Sequence, residues 1–360
     1  MMKNKRVYSL DVIRVTAIFA VIMIHASAEF VDGASLNSFE FCIANVTDSI
    51  ARMGVPLFIM LSGALMLNEE RMMPPSKAVR KAVRIYANLL IWSTLYAGVF
   101  YVLFPTYCPS FLNIERSWSA FIRAVARGHY HLWYLSMIIG LYLVTPVLRL
   151  FVKKQNRGLI KYLLLLMIAV KSALPFVNYC ADRLCGGESL FSLHFRQFDF
   201  SFISSYMMYY ISGWYLVNSE FTKRQQVALA VLGITGVICT ILCTRLFSTD
   251  SYRAYGFFYS YDSLNIVAES LATFALMSHA FTNLGDRNAG WVKRLSELSF
   301  GVYLIHPLIL FLVDKFSVAM AISNVHGERM LVNCLLTTLI SFLLSLMGTR
   351  IPGIRRIMKA

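Results

Sequence analysis

Long apolar segments recur along this chain and are separated by shorter polar stretches. Each segment holds about 17–25 residues, enough for a helix to cross a hydrocarbon core of about 30 Å. The sequence lacks the weak apolar–polar alternation that is typical of membrane β-barrel strands. The pattern predicts an all-α membrane protein, a bundle of about ten transmembrane helices, at residues 8–28, 46–67, 83–104, 131–151, 159–178, 200–218, 226–247, 262–283, 298–317 and 330–349.

Composition supports a membrane protein. Of the 360 residues, 58% are hydrophobic and only 15% are charged, whereas a soluble domain of this length needs more polar surface. No part of the sequence departs from this composition for long enough to form a soluble unit. We therefore expect a single transmembrane domain over residues 1–360, without a separate soluble domain.

The formal net charge of +15 would be compatible with nucleic-acid binding, but the distribution of the charge argues against it. Basic residues concentrate in alternate connections between the predicted spans, as the positive-inside rule requires of cytoplasmic loops. We expect both termini in the cytoplasm, the lipid bilayer as a partner and no nucleic-acid partner. The basic clusters lie at residues 3–6, 71–84, 149–161, 223–224, 287–294 and 350–359.

The first apolar segment, "SLDVIRVTAIFAVIMIHAS" at residues 9–27, contains three ionisable residues. Its beginning imitates a secretory signal peptide, but Asp11 and Arg14 suit such a segment poorly, so we interpret it as the first span. Arg14 and His25 are eleven residues apart, which places them on one helical face, about 16 Å apart along the axis. Ionisable groups at this depth usually face a polar cavity, although Asp11 and Arg14 would also suit an interfacial anchor.

Histidines recur at the outer ends of other predicted spans. His131 lies in "HYHLWYL" beside Trp133, and His306 lies deep in "LSFGVYLIHPLIL". Each histidine by itself could be a hydrogen-bonded core residue. Three spans that bring histidine to the same half of the membrane favour a site instead, because histidine can act as a general base near neutral pH.

The second span adds a pair of opposite charges. Asp48 and Arg52 are four residues apart and can pair on one helix, at the depth of His25. Ser62 and Gly63 follow in "GVPLFIMLSGALML" and are small enough for a close helix contact.

A basic turn, "SKAVRKAVRIY", opens the third span with Arg80, Lys81 and Arg84. The positive-inside rule alone would explain these basic residues. Alternatively, they would form a site that binds phosphates.

Two outer connections leave alternatives open. The segment "SYRAYGFFYSYDS" at 251–263 is compatible with an aromatic belt at the interface or with a platform for a sugar ring. Cys180 and Cys185 could be bridged or free. No cysteine pair has the spacing of a structural zinc site, and we expect no metal.

Five segments together resemble the acyltransferase-3 family of bacterial membrane acyltransferases, in the order that this family shows. They are "LDVIRVTAIFAVIMIHA", "GVPLFIMLSGALML", "RKAVRIY", "HLWYL" and "LSFGVYLIHPL". The spacing of Arg14 and His25 matches the most characteristic motif of the family. Lys81 and Arg84 match its paired basic motif, although arginine is usual where Lys81 stands. Among the members of this family, the chain most resembles the stand-alone type, which lacks an additional periplasmic domain.

The resemblance implies an acetyl-CoA-dependent O-acetyltransferase of the bacterial cytoplasmic (inner) membrane. Acetyl-CoA would be a co-substrate, with no permanently bound cofactor, and the acceptor would be a hydroxyl of a cell-surface glycan or a lipid-linked oligosaccharide. Arg80, Lys81 and Arg84 would bind the donor, with Arg14 deeper in the channel. His25 would act as general base or would form an acetyl-histidine intermediate.

The depth at which five other residues lie in the predicted spans suggests their roles. Arg52 would stabilise negative charge on the carbonyl oxygen, and Glu29 would orient the His25 imidazole. His131, Trp133 and His306 would contact the acceptor.

Four alternatives remain at the level of sequence. The acyl group could be another, such as succinyl. A polysaccharide transporter or flippase would also have many spans with charges inside them, although we find no internal repeat. A catalytically silent membrane partner of a polysaccharide assembly complex is the third. The fourth is an unrelated acyltransferase fold with a membrane histidine, which the five ordered motifs disfavour.

Overall fold

The computed structural model of the protein describes residues 8–70, 72–100, 117–187, 204–249, 255–281, 286–319 and 326–358. Helices are the main regular elements in these ranges. They are α1 (Tyr8–Gly33), α2 (Phe39–Ala51), α3 (Gly54–Met66), α4 (Pro75–Gly98), α5 (Trp118–Arg127), α6 (Trp133–Phe151), α7 (Arg157–Ile168), α8 (Leu174–Cys185), α9 (Ser205–Val217), α10 (Lys223–Leu246), α11 (Tyr255–Phe258), α12 (Leu264–Ala280), α13 (Asp286–Ala319), α14 (His326–Gly348) and α15 (Pro352–Met358).

The all-α class is confirmed, and every predicted span overlaps a helix. Among the described residues, seven helical stretches are long and apolar enough to cross a membrane: Tyr8–Gly33, Phe39–Met66, Tyr130–Phe151, Lys154–Cys185, Lys223–Leu246, Gly290–Ser317 and Glu328–Gly348. The chain is therefore a multi-pass membrane protein. The count of ten and the cytoplasmic termini stay predictions. Residues 101–104, 200–203 and 282–283 of the predicted spans lie outside the described ranges.

The predicted span at 46–67 is two helices, α2 and α3, with a break at Arg52 and Met53. Pro56 explains the break, because it has no N–H to donate to the carbonyl of Arg52 in a continuous helix. As the third residue of α3, Pro56 lies where the backbone N–H has no partner within the helix anyway. The break places Arg52 at the junction of two helices.

The α1 helix lies at the centre of the bundle. It packs against α2, α3, α12, α13 and α14. Ile13, Ile18 and Ile22 on this helix are fully buried, and in a membrane the close van der Waals packing of such side chains stabilises the contact between helices. The polar stripe of α1 is consequently enclosed by other helices.

A reciprocal glycine contact joins α3 to α9. A Cβ atom on Gly63 would lie 1.7 Å from the carbonyl oxygen of Tyr210, and one on Gly213 would lie 1.8 Å from the carbonyl oxygen of Met60. Neither distance is possible between non-bonded atoms, so any larger residue would force the two helices apart. The predicted close contact at Gly63 is confirmed.

We expect Gly63→Ala to lower the free energy of unfolding by about 1–3 kcal/mol, because the added methyl group collides with backbone that has no room to move. Gly140→Ala on α6 is the matched control, since a Cβ atom there would meet nothing within 4 Å. Thermal unfolding of the purified variants in detergent measures the difference. Equal midpoints for the two variants would contradict the tight contact.

Candidate active site

A cavity of about 380 Å³ lies among α1, α3, α4, α6 and α13. Arg14 and Lys81 line it, and so do His25, His131 and Trp133. The walls between these groups are largely apolar and aromatic, with Phe58, Leu61, Leu65, Leu135, Ile138 and Phe300 among them. One enclosed space thus joins the basic groups to the histidines.

Arg14 is held in place at the basic end. The Ser296 hydroxyl donates to Oδ1 of the buried Asp11 at 2.6 Å and accepts from Nη1 of Arg14 at 3.1 Å. The same Arg14 nitrogen lies 4.0 Å from the Asp11 carboxylate. A buried carboxylate needs such partners, and together they fix the direction of the guanidinium.

The basic turn on α4 is divided between two faces. Lys81 is half-buried, lines the cavity and places Nζ 5.4 Å from the centroid of the Tyr142 ring. Arg80 and Arg84 are exposed and are not among the residues that line the cavity. Because a helix advances 100° per residue, Lys81 lies about 100° around the helix from Arg80, with Arg84 between them. The structure therefore brings Lys81 to Arg14 and leaves the other two at the surface.

Four histidine rings adjoin one another at the other end. The His25 ring stacks on the His306 ring with centroids 5.3 Å apart, and His306 lies 5.6 Å from His131. His129 follows, with its Nδ1 atom 2.9 Å from Nδ1 of His131. The three predicted histidines are thus brought together, and His129 extends the row.

The tautomer of His306 follows from its hydrogen bonds. Its Nδ1 atom lies 2.8 Å from the carbonyl oxygen of Tyr303 and 3.2 Å from that of Val302, so Nδ1 must carry the proton. Nε2 is then a hydrogen-bond acceptor, and it has no partner within the described part of the protein. Nε2 of His131 also has none there. Unsatisfied buried groups are costly, and two of them beside His25 indicate a site for chemistry.

Two tyrosines that the sequence analysis did not single out support this row. The Tyr303 hydroxyl donates to the backbone carbonyl of His131 at 2.6 Å, and the Tyr130 ring meets His25 edge-on at 5.1 Å between centroids. Tyr303 precedes His306 by three residues and so shares its helical face, a spacing that could have indicated it.

Arg52 and Glu29 occupy other positions. Nε of Arg52 lies 2.5 Å from Oδ1 of Asp48, so the predicted pair forms, and Ser27 donates to Oδ2 of Asp48 at 3.1 Å. Arg52 lines a neighbouring pocket, and Glu29 is exposed on α1; neither lines the cavity. Their catalytic roles stay predictions.

The cysteines and possible metal ligands add little chemistry. Cys180 and Cys185 both lie on α8 and are free thiols. Among the described residues, no group of three or more histidine, cysteine or acidic side chains is arranged to hold a metal ion.

Comparison with known families agrees with this geometry. A family model described as an acyltransferase domain matches residues 7–350, nearly the whole chain. The chain belongs to the acyltransferase-3 family of membrane acyltransferases. Searches of curated proteins and of solved structures found no match. The family membership favours an enzyme over a transporter, and it covers both the basic and the histidine end of the cavity.

We expect His306→Phe to lower acyl transfer by about 100-fold, because phenylalanine lacks the Nδ1–H that fixes this ring against His25, and a general base typically contributes 10²–10⁴-fold. His279→Phe is the matched control. His279 lies on α12, meets the Phe221 ring edge-on and is not one of the four histidines that adjoin one another. The measurement compares acyl transfer in membrane vesicles that contain equal amounts of folded protein; similar losses in both variants would contradict a special role for His306.

Proposed function

We propose that this protein is an O-acetyltransferase of the bacterial inner membrane. It transfers an acetyl group from cytoplasmic acetyl-CoA to a hydroxyl of a cell-surface glycan or its lipid-linked precursor. The observation that carries the proposal is the single cavity that contains Arg14 and Lys81 as well as His25. Membership of a membrane acyltransferase family supports the transfer chemistry.

The basic end suits the phosphates of coenzyme A. Arg14 presents a guanidinium that Asp11 and Ser296 hold in place, and Lys81 adds a second positive charge to the same cavity. Arg80 and Arg84, exposed on α4, are suited to the outer part of the nucleotide at the cytoplasmic surface. The apolar walls between the two ends suit the pantetheine arm, which brings the thioester towards His25.

His25 then acts as general base. Its imidazole takes the proton of the acceptor hydroxyl while the oxygen attacks the thioester carbonyl. The new C–O bond forms, the C–S bond breaks, and the coenzyme A thiolate receives the proton from the imidazolium. Transfer through an acetyl-histidine is the covalent variant of the same step.

His306 is placed to orient this base. It stacks on His25, and its Nδ1 proton is committed to a backbone carbonyl, so that Nε2 offers only a lone pair. A ring that is held by its own backbone and stacked on a catalytic imidazole limits the directions that the imidazole can take. Tyr303 and His131 complete the support around it.

The transfer itself is tested with membrane vesicles of the native host and acetyl-CoA labelled in the acetyl group. We expect label in glycolipid or polysaccharide that mild alkali releases, and we expect its loss in a folded His25→Ala variant. His279→Ala should transfer normally. Equal labelling in His25→Ala and wild type would remove His25 from the chemistry. Label from succinyl-CoA but not from acetyl-CoA would contradict the acetyl donor.

Donor binding should depend on Ser296. Ser296→Ala removes hydrogen bonds to two charged groups, each worth about 1.5–3 kcal/mol, so we expect the KM for acetyl-CoA to rise about tenfold with little change in kcat. Ser278→Ala is the control, because the Ser278 hydroxyl bonds, among the described residues, only to the carbonyl of Ala275 on its own helix. An unchanged KM in Ser296→Ala would exclude this anchoring of Arg14.

A further inference from the structure

A second pocket, of about 320 Å³, adjoins the cavity on the face that the charge pattern places outside the cell. We call it the tyrosine pocket. It lies between the end of α2, the start of α9 and the connection from α11 to α12. The residues that line it are Arg52, Tyr206, Tyr255, Gly256, Tyr259, Ser260, Tyr261 and Asp262.

Aromatic rings connect the tyrosine pocket to the cavity. Tyr261 lines both spaces. Its ring lies 6.1 Å from the ring of Trp133, nearly parallel to it at 28°, and Trp133 lies 5.6 Å from Tyr206 in turn. The Tyr209 hydroxyl donates to the carbonyl of Tyr261 at 2.8 Å and so holds the backbone at the junction. A molecule in the pocket would thus be in contact with rings that reach the space beside His25.

One wall of the pocket is rigid. Arg52 is paired with Asp48 and stands 4.5 Å above the centroid of the Tyr259 ring. The Tyr259 hydroxyl donates to Oδ1 of Asn45 at 2.6 Å. A stacked guanidinium and ring that are both held from behind form a flat, preorganised surface.

Part of the lining of the pocket is polar. Asp262 is exposed, and its backbone N–H donates to the Ser260 hydroxyl at 3.3 Å, which shapes the turn that carries both side chains. A carboxylate accepts up to four hydrogen bonds, and a serine hydroxyl both donates and accepts. The pocket therefore combines flat aromatic faces with a hydrogen-bonding edge.

A sugar ring has the complementary chemistry. A pyranose presents apolar C–H faces, which suit the faces of tyrosine and tryptophan, and a rim of hydroxyls, which suits a carboxylate and a serine. A purely apolar ligand would make no hydrogen bonds to Asp262 and Ser260.

We propose that the tyrosine pocket binds a sugar residue of the acceptor glycan, next to the residue whose hydroxyl reaches His25. This rests on the proposed function and gives the acceptor a subsite outside the catalytic cavity. Trp133 and Tyr261 lie between the two spaces, so they contact the linkage between the two sugars.

Binding is tested apart from catalysis, in a His25→Ala background. The probe is the glycan fraction of the native host's membranes, released from lipid. We expect it to raise the thermal unfolding midpoint of His25→Ala, and we expect Tyr206→Ala or Asp262→Asn, added to that background, to raise the half-saturating concentration at least tenfold. Tyr162→Ala, an exposed tyrosine on α7, is the control and should leave binding unchanged.

The outcomes separate the two proposals. Glycan binding that is absent, or equal in all variants, would overturn the subsite. An equal midpoint shift with glycan-free phosphatidylglycerol vesicles, lost in the same variants, would overturn it in favour of a headgroup site. Binding that depends on Tyr206 and Asp262 supports the subsite; if wild-type vesicles then transfer no acetyl label, the O-acetyltransferase proposal fails while the glycan subsite stands.

Discussion

The free-energy cost of burying ionisable groups at membrane depth is the main physical constraint on this structure. Asp11, Arg14 and His25 lie on α1, which packs against five other helices, and none of them would be stable against hydrocarbon. The bundle meets that cost by enclosing α1 with α2, α3, α12, α13 and α14 and by giving its polar stripe partners. Ser296 satisfies the basic end, and His306 lies against the histidine end. The space left between these partners is the cavity.

Local backbone features place the other helices around that cavity. The break before α3 sets Arg52 at a helix junction beside the tyrosine pocket, whereas a continuous helix would have kept it on the side of a span. The glycine contact between α3 and α9 brings backbone against backbone and draws α9 into the core. Tyr206 and Tyr209 then lie near Tyr261, where the cavity meets the tyrosine pocket. The packing of α3 against α9 thus positions the tyrosines that lie where the cavity meets the tyrosine pocket.

The cavity holds two kinds of polar group in different places. Under the proposed function, the cations of Arg14 and Lys81 would attract a charged donor, and His25 would provide the base for the acceptor hydroxyl. The walls between these groups are largely apolar, which would limit hydrolysis of a thioester there. Residues that hold others in place, among them Asp11, Tyr303 and His306, are as buried as the hydrophobic core. Their burial supplies the rigidity that a positioned base requires.

The sequence by itself determined what depends on local periodicity and composition. The helical class, the overlap of each predicted span with a helix, the shared face of Arg14 and His25, and the pairing of Asp48 with Arg52 all follow from spacings within one helix. Tertiary structure decided what depends on distant contacts. It selected Lys81 over Arg80 and Arg84 for the cavity, and it kept Arg52 and Glu29 from its walls. It also joined Ser296 to Asp11, 285 residues apart, because only packing between helices decides which faces meet.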